Sequence, residues 1–399
     1  MSPYASPDSF AGNHYLIDIE ALDTEGVLSK ADYDKLMDKQ PDRYREHKDR
    51  ALVKIYQSWI ASQDNQAALL RFMEQNAWWL DNHLAYHAEK AKEAVQSRSF
   101  DGRYRAFLQY IFARQYKKIK EYANSHGIVI FGDLPFYVSA DSADVLANRN
   151  YFLLDKKDQP LYQSAVPPDA FQENGQLWGT PVYDWDALEK DNFSYWLKKI
   201  ERQAEFFDYL RIDHFRGLQA YYRVPADASD ARDGEWINVP GDALLGVITK
   251  VKGITLIAEN LGHITDEVDY LLEKHQIPGM KIMQFAKNDL YAYKDKKDTV
   301  YYSGTHDNQT LSGWITHQFE VGKRVEKEVC WDLLKKLYAS RANWVIVPLQ
   351  DALCLDEQAR MNTPGTTEHN WVWTFDDDWS ELEKAGEKLG SLTLSYQRD

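Results

Sequence analysis

Four carboxylates stand where apolar runs of this chain end. Asp133 closes IVIFG, Asp213 closes YLRI, Glu259 closes TLIA, and Asp307 follows YYSG in the tetrapeptide THDN. Two of them touch a histidine in sequence, His214 and His306, and Arg211 precedes Asp213 by two residues. One acid at the end of an apolar run is ordinarily a helix cap or a satisfied loop residue. Four of them invite a reaction that uses carboxylates in concert. Glycoside cleavage is such a reaction. It needs one ionised carboxylate as nucleophile and one protonated carboxyl for the leaving oxygen. In the retaining mechanism these lie about 5–5.5 Å apart and a glycosyl-enzyme forms. A cation beside Asp213 favours its charged form, and desolvation after the run TLIA would raise Glu259. The residues themselves therefore suggest Asp213 as nucleophile and Glu259 as acid/base.

These acids need a frame that brings strand ends together. From about residue 100 a helical pattern repeatedly precedes a β-branched or aromatic run: 103–127 before IVIFGD, 194–207 before DYLRID, 243–253 before ITLIAE, 266–276 before MKIMQFA, and 324–340 before WVIVPLQD. With TVYYSG this makes six candidate strands, five of them preceded by a helix, which is the signature of parallel strands joined by crossovers. An open doubly wound sheet or a (β/α) barrel would both read this way, and no glycine-rich phosphate fingerprint follows any strand. In a barrel the carboxyl ends of all strands open on one face, where the four acids would converge. Asp213, Glu259 and Asp307 are spaced by 46 and 48 residues, room for one or two strand–helix units each. Residues 1–100 read as a helical, charged insertion beside the barrel. Residues 101–399 read as the barrel itself, with an irregular loop insertion at about 139–190.

The net charge of −15 argues against nucleic-acid or anionic-membrane partners. Thirteen Trp and twenty-five Tyr offer flat apolar faces with polar tips, suited to sugar rings, although many will be core. Two cysteines, no signal-peptide pattern and no long apolar run fit a cytoplasmic protein. His83 and His87 in HLAYH have a zinc-like spacing, but Leu84 stands where a metalloprotease would need its glutamate, so a packing pair is expected. DWDALEKD (184–191) lacks the glycine turn of a calcium loop. No metal or other cofactor is expected. Cys330 and Cys354 have no catalytic partner nearby in sequence, and the runs YKDKK (293–297) and FDDDW (375–379) read as solvated loops.

The order of motifs carries more. SPYASPDSFAGN (2–13), FLQYIFARQY (107–116), GDLPFYVSADSADVLAN (132–148), VPPDAFQENGQLWGTPVYDWD (166–186), RIDHFRG (211–217), AENLG (258–262), PGMKIMQFA (278–286), GTHDN (304–308) and RMNTPGTTEHNWVW (360–373) run through nearly the whole chain. With these the chain resembles the 4-alpha-glucanotransferases, also called amylomaltases or disproportionating enzymes, of the α-amylase clan. The resemblance implies a (β/α)8 TIM-type barrel, and places the first two strands of that barrel upstream of SPY, so that this chain is expected to lack them. It implies maltodextrin substrates and a retaining transfer of α-1,4-glucan segments. It makes Asp213 the nucleophile, Glu259 the acid/base and Asp307 the stabiliser of the oxocarbenium-like transition state. Arg211 would keep Asp213 ionised, His306 would bond the sugar at the cleavage subsite, and Tyr4, Asp133, Trp178 and Asn362 would contact glucan. Two substitutions depart from the family's pattern: Ala170, where an aromatic is usual on the loop over the site, and Asn260, where Asp is commoner. A leaky loop would favour a hydrolase with the same carboxylates, and a barrel short of two strands would favour an inactive glucan-binding remnant.

Overall fold

The computed structural model describes residues 2–22, 26–37, 41–93, 101–168, 172–286, 298–318, 327–366, 368–375 and 379–398. Among these, ten strands form: β1 (Phe131–Leu134), β2 (Tyr162–Val166), β3 (Gln176–Pro181), β4 (Tyr209–Ile212), β5 (Ala220–Pro225), β6 (Glu235–Asn238), β7 (Thr255–Ala258), β8 (Gly279–Ile282), β9 (Thr299–Tyr302) and β10 (Trp344–Ile346). Six of them fall on the six runs expected from the helix–strand rhythm. They pair in parallel as β1-β4-β7 and β8-β9-β10, and the Ala258 N–H donates to Pro278 O (2.8 Å) where the two groups meet. Parallel strands need crossovers. Helices Gly102–Ser125, Ser194–Ala204, Gly241–Ile248, Asp266–His275 and Lys327–Tyr338 provide them ahead of β1, β4, β7, β8 and β10.

The inner faces of the strands bury Ile257, Met280, Ile282, Val300 and Tyr302, and the helices pack outside around Trp196, Ile200, Leu244, Val268 and Leu334. Parallel strands covered on both faces are near-continuous apolar runs, and TVYY, buried along its whole length, is one. Asn260 fits this frame through its amide. Its Oδ1 accepts the Met280 N–H (2.8 Å) at the start of β8, and a Cβ at Gly279 would come within 2.7 Å of that amide. The pair locks the β7 end to β8, and the oxygen that does it is common to Asn and Asp.

The stretch 139–190 is more regular than its composition suggests. It supplies β2 and β3 to an antiparallel sheet of order β3-β2-β5-β6, which carries Trp178. β2 joins β3, the next strand along the chain, in a local antiparallel pair, while its other partner, β5, lies about sixty residues downstream. Ala170 lies outside the described residues, as do 293–297 and 376–378.

Helices Pro41–Trp59, Gln63–Glu93 and Gly102–Ser125 share a second core around Leu52, Ile55, Leu80, Phe107 and Ile111. Asp101 caps the third of these by accepting the Arg103 and Tyr104 N–H groups. Against this layer lies the loop of residues 2–13. Asp8 accepts the Phe10 and Ala11 N–H groups and pairs with His83 Nδ1 (2.8 Å), and Gln109 exchanges two hydrogen bonds with Gly12. His83 and His87 thus pack together, rings 4.5 Å apart, and His83 serves to anchor the loop. Arg202 reaches Phe10 O (2.9 Å) while its guanidinium lies between the Trp79 and Phe206 rings. The loop is held at both faces, and what it delivers is Tyr4.

Candidate active site

Asp133 and Arg211 are register partners on β1 and β4, and Arg211 pairs with Ile257 on β7. Beyond the last paired residues, Ile212 and Ala258, come Asp213 and Glu259. The Glu259 N–H donates to Ile212 O (3.0 Å), so the two acids leave adjacent strands together. The chain then turns sharply. His214 takes a left-handed backbone conformation (φ 49°), uncommon for a non-glycine residue, and presents its N–H to Glu259 Oε2 (2.9 Å). Leu261 N–H holds the other oxygen (2.8 Å). Asp307 follows β9, with His306 Nε2 3.4 Å from its Oδ2 and Asn362 Nδ2 donating to its Oδ1 (2.6 Å).

Arg211 organises the acids. Nη2 donates to Asp213 Oδ1 (2.8 Å), and Nη1 donates to Asp133 Oδ2 (2.5 Å) and to the Tyr4 hydroxyl (3.2 Å). Tyr4 gives its own proton to Asp133, so its oxygen accepts from Arg211 and from His306 Nε2 (2.9 Å). The structure thus brings Tyr4, Asp133, Arg211, Asp213, Glu259, His306, Asp307 and Asn362 into one constellation. Trp178 stands across the cleft, its ring 4.9 Å from that of His214 and edge-on to it. A cleft of about 890 Å³ opens there, lined among others by Tyr4, Tyr137, Trp178, Asp213, Asp307 and Trp371.

The electrostatics differ from the sequence expectation at one residue. Arg211 was expected to hold Asp213 ionised. Burial instead pushes Asp213 up to about 7: it outweighs the Arg211 pair, and the charges of Asp133, Glu259 and Asp307 add to it. One guanidinium divided between two carboxylates cannot neutralise four. Burial likewise raises Glu259 against the pull of Arg211 and its two N–H donors. Asp307 goes the other way: burial opposes its charge, but His306, Asn362 and Arg211 together hold it below the ordinary carboxylate range. Arg211 itself is held above its usual value, since Asp133 and Asp213 more than offset its burial. His214 is pushed down to about 4, by burial first and then by Arg216, so near neutrality its imidazole is uncharged. The upward shifts of Asp213 and Glu259 both favour keeping a proton on the cluster toward neutral pH. One ionised and one protonated carboxyl is the state that acid-assisted nucleophilic displacement requires.

Sequence reasoning passed over three residues of the site. Trp371, left-handed at φ 62°, sets its ring 5.2 Å from His306 and 6.0 Å from Tyr4. Tyr137 lines the cleft, and its hydroxyl is buried without a hydrogen-bond partner among the described residues. Arg360 holds the backbone of the Asp307 turn. A single aromatic in sequence reads as core, which hides the first two. Cys330 and Cys354 lie together in the core around Trp314 and Leu334, within hydrogen-bonding reach of one another. Among the described residues no cluster of His, Cys, Asp and Glu has the arrangement of a metal site, and no helix is long and apolar enough to cross a membrane.

Comparison with known proteins places the chain. Residues 1–378 match the family model described as 4-alpha-glucanotransferase. A 4-alpha-glucanotransferase of Clostridium butyricum is 37% identical over 449 aligned residues, covering 100% of this chain and 90% of the relative. One from Thermus thermophilus is 36% identical, covering 93% and 84%. A solved structure of an amylomaltase from Streptococcus agalactiae in complex with acarbose superposes with a TM-score of 0.89 at 31% identity, covering all of this chain and 89% of the other. The fold is accordingly a TIM-type barrel, and the chain belongs to the 4-alpha-glucanotransferase family.

Proposed function

We propose that this chain transfers α-1,4-glucan segments between maltodextrins by double displacement, with Asp213 as nucleophile and Glu259 as acid/base. The observation that carries the assignment is the register: Asp213 and Glu259 are the next residues after paired strands, and adjacent strands run about 4.8 Å apart. That spacing suits the carboxyl separation of about 5–5.5 Å used in retaining chemistry.

In the first step Glu259 gives its proton to the glycosidic oxygen while Asp213 bonds to the anomeric carbon, and the leaving glucan departs with a free 4-hydroxyl. In the second, an acceptor 4-hydroxyl returns a proton to Glu259 and attacks the same carbon, releasing Asp213. The sugar cation that develops between these states lies against Asp307, whose depressed pKa keeps it negative. Substrate binding displaces water and puts developing positive charge beside Asp213, which favours ionising it at the moment of attack. Tyr4, Asp133, His306 and Asn362 form a polar wall for sugar hydroxyls. Trp178 and Trp371 offer aromatic faces, which help an acceptor sugar outcompete water. An acidic chain with buried, unbridged thiols suits a reducing, cytoplasmic setting.

Incubation with maltotriose, with products resolved by size, tests the reading. Glucose together with a ladder of longer maltodextrins is expected, and Asp213→Asn should abolish both. Glucose and maltose without a ladder would identify a hydrolase using the same acids.

A further inference from the structure

Arg360 follows the short turn Glu357–Ala359, beyond the end of β10, and its guanidinium is engaged on three sides. Nη2 donates to the backbone carbonyl of Asp307 (2.8 Å). Nε donates to the carbonyl of Asn362 (2.8 Å). Nη1 pairs with Glu357 Oε1 (3.1 Å). Asn362 completes the tie, its N–H on His306 O (3.0 Å) and its amide on the Asp307 carboxylate (2.6 Å). Backbone and side chain of Asp307 are thus held separately, and both holds run through residues 360–362.

We infer that Arg360, oriented by Glu357, is a positioning residue that sets where the Asp307 carboxylate stands in the cleft. Residues 303–310, which carry His306 and Asp307, lie between β9 and helix Leu311–Gln318 and belong to neither, so no regular ladder fixes Asp307. A planar fork can serve two carbonyls and a carboxylate at once, and a lysine ammonium cannot reproduce that geometry. The Glu357–Arg360 pair is partly exposed, with side chains 40% and 20% accessible, so its Coulombic stabilisation is small. Its value is orientation. Gly313 packs against Glu357 from the other side, where a Cβ would fall 2.3 Å from Oε2, leaving Oε1 for Arg360. Errors of an ångström in a group facing the transition state cost about a hundredfold in rate.

The inference rests on Asp307 acting as the transition-state carboxylate, so Asp307→Asn is the reference variant. Arg360→Lys and Glu357→Ala are to be assayed on maltotriose for kcat and KM, with thermal midpoints measured alongside. Arg360→Lys should lower kcat about 10- to 100-fold with KM changed less than about threefold, and Glu357→Ala should lower kcat about 3- to 10-fold in the same direction. Midpoints should stay within a few degrees of the parent. A kcat equal to the parent's in both variants, or a loss that only tracks the folded fraction, overturns the inference while leaving Asp307 intact. Full activity in Asp307→Asn overturns the reading beneath it.

Discussion

The N–H of His214 donates to Glu259 Oε2 at 2.9 Å, so the turn that follows Asp213, the proposed nucleophile, also orients Glu259, the proposed acid/base. Neither residue reaches the other through sequence, since they sit at the ends of two strands separated by a crossover. The left-handed conformation of His214 is the backbone feature that aims the N–H at the carboxylate. Asp213 and Glu259 are in this way parts of one corner, and their separation follows from strand spacing, since each directly follows a paired strand.

Removal of either carboxyl should therefore be costly in different degrees. Asp213→Asn should lower kcat by about 10⁴-fold or more, since no covalent intermediate can form. Glu259→Gln should cost about 10²- to 10⁴-fold with maltotriose. A donor with an activated leaving group needs no proton, so fluoride release from a maltosyl fluoride should fall far less in Glu259→Gln. Comparing the two donors in each variant checks the assignment.

The pH profile should carry the mark of burial. With Asp213 pushed up to about 7, the acid limb of kcat/KM should lie well above the ordinary carboxylate range. Asp133 raises Asp213 and draws off half of Arg211. Asp133→Asn should then lower Asp213 and move the acid limb to lower pH, whatever it does to KM. A pH series of initial rates on both proteins decides it.

Stability should follow the same residue with a definite sign. Asp213 titrates near 7 in the folded chain and near its ordinary 3.8 when unfolded, so the folded state holds the proton more tightly. Stability from this group falls as pH rises from about 4 to about 7. Asp213→Asn lacks the buried charge. Its thermal midpoint should exceed the parent's by a few degrees at pH 7, and the difference should vanish near pH 4.

How much of this was legible in the chain differs by residue. The six barrel strands were, because a parallel strand covered on both faces must be apolar along its length, and a helix pattern precedes five of them. The acids were legible because they interrupt that apolarity where the strand ends. The ionisation of Asp213 was not. Arg211 is its neighbour in sequence, whereas Asp133, Glu259 and Asp307, which oppose it, are brought there only by the fold. The antiparallel sheet behind Trp178 was hidden in part for the same reason: β2 joins β3 nearby, but its other partner, β5, lies about sixty residues on. Arg360 escaped notice because an arginine that grips carbonyls makes no pattern with the acids it serves.

The substituted Asn260 yields a stability prediction that does not involve the chemistry. Its amide satisfies the N–H of buried Met280 (2.8 Å). Asn260→Ala strands that donor and should cost about 1–3 kcal/mol. Asn260→Asp keeps the acceptor and should cost less. Denaturant midpoints for the two variants give the comparison.

Passage of glucan through a covalent bond to Asp213 is tested most directly by a trapped intermediate. A 5-fluoro-glucosyl fluoride forms its glycosyl-enzyme quickly and releases it slowly, which allows proteolysis and mass spectrometry of the labelled chain. The mass of one fluoroglucosyl group should appear on the peptide containing Arg211–Arg216, at Asp213, and should disappear in Asp213→Asn. A label on Glu259 or Asp307, or turnover of the reagent with inversion at the anomeric carbon, would contradict it.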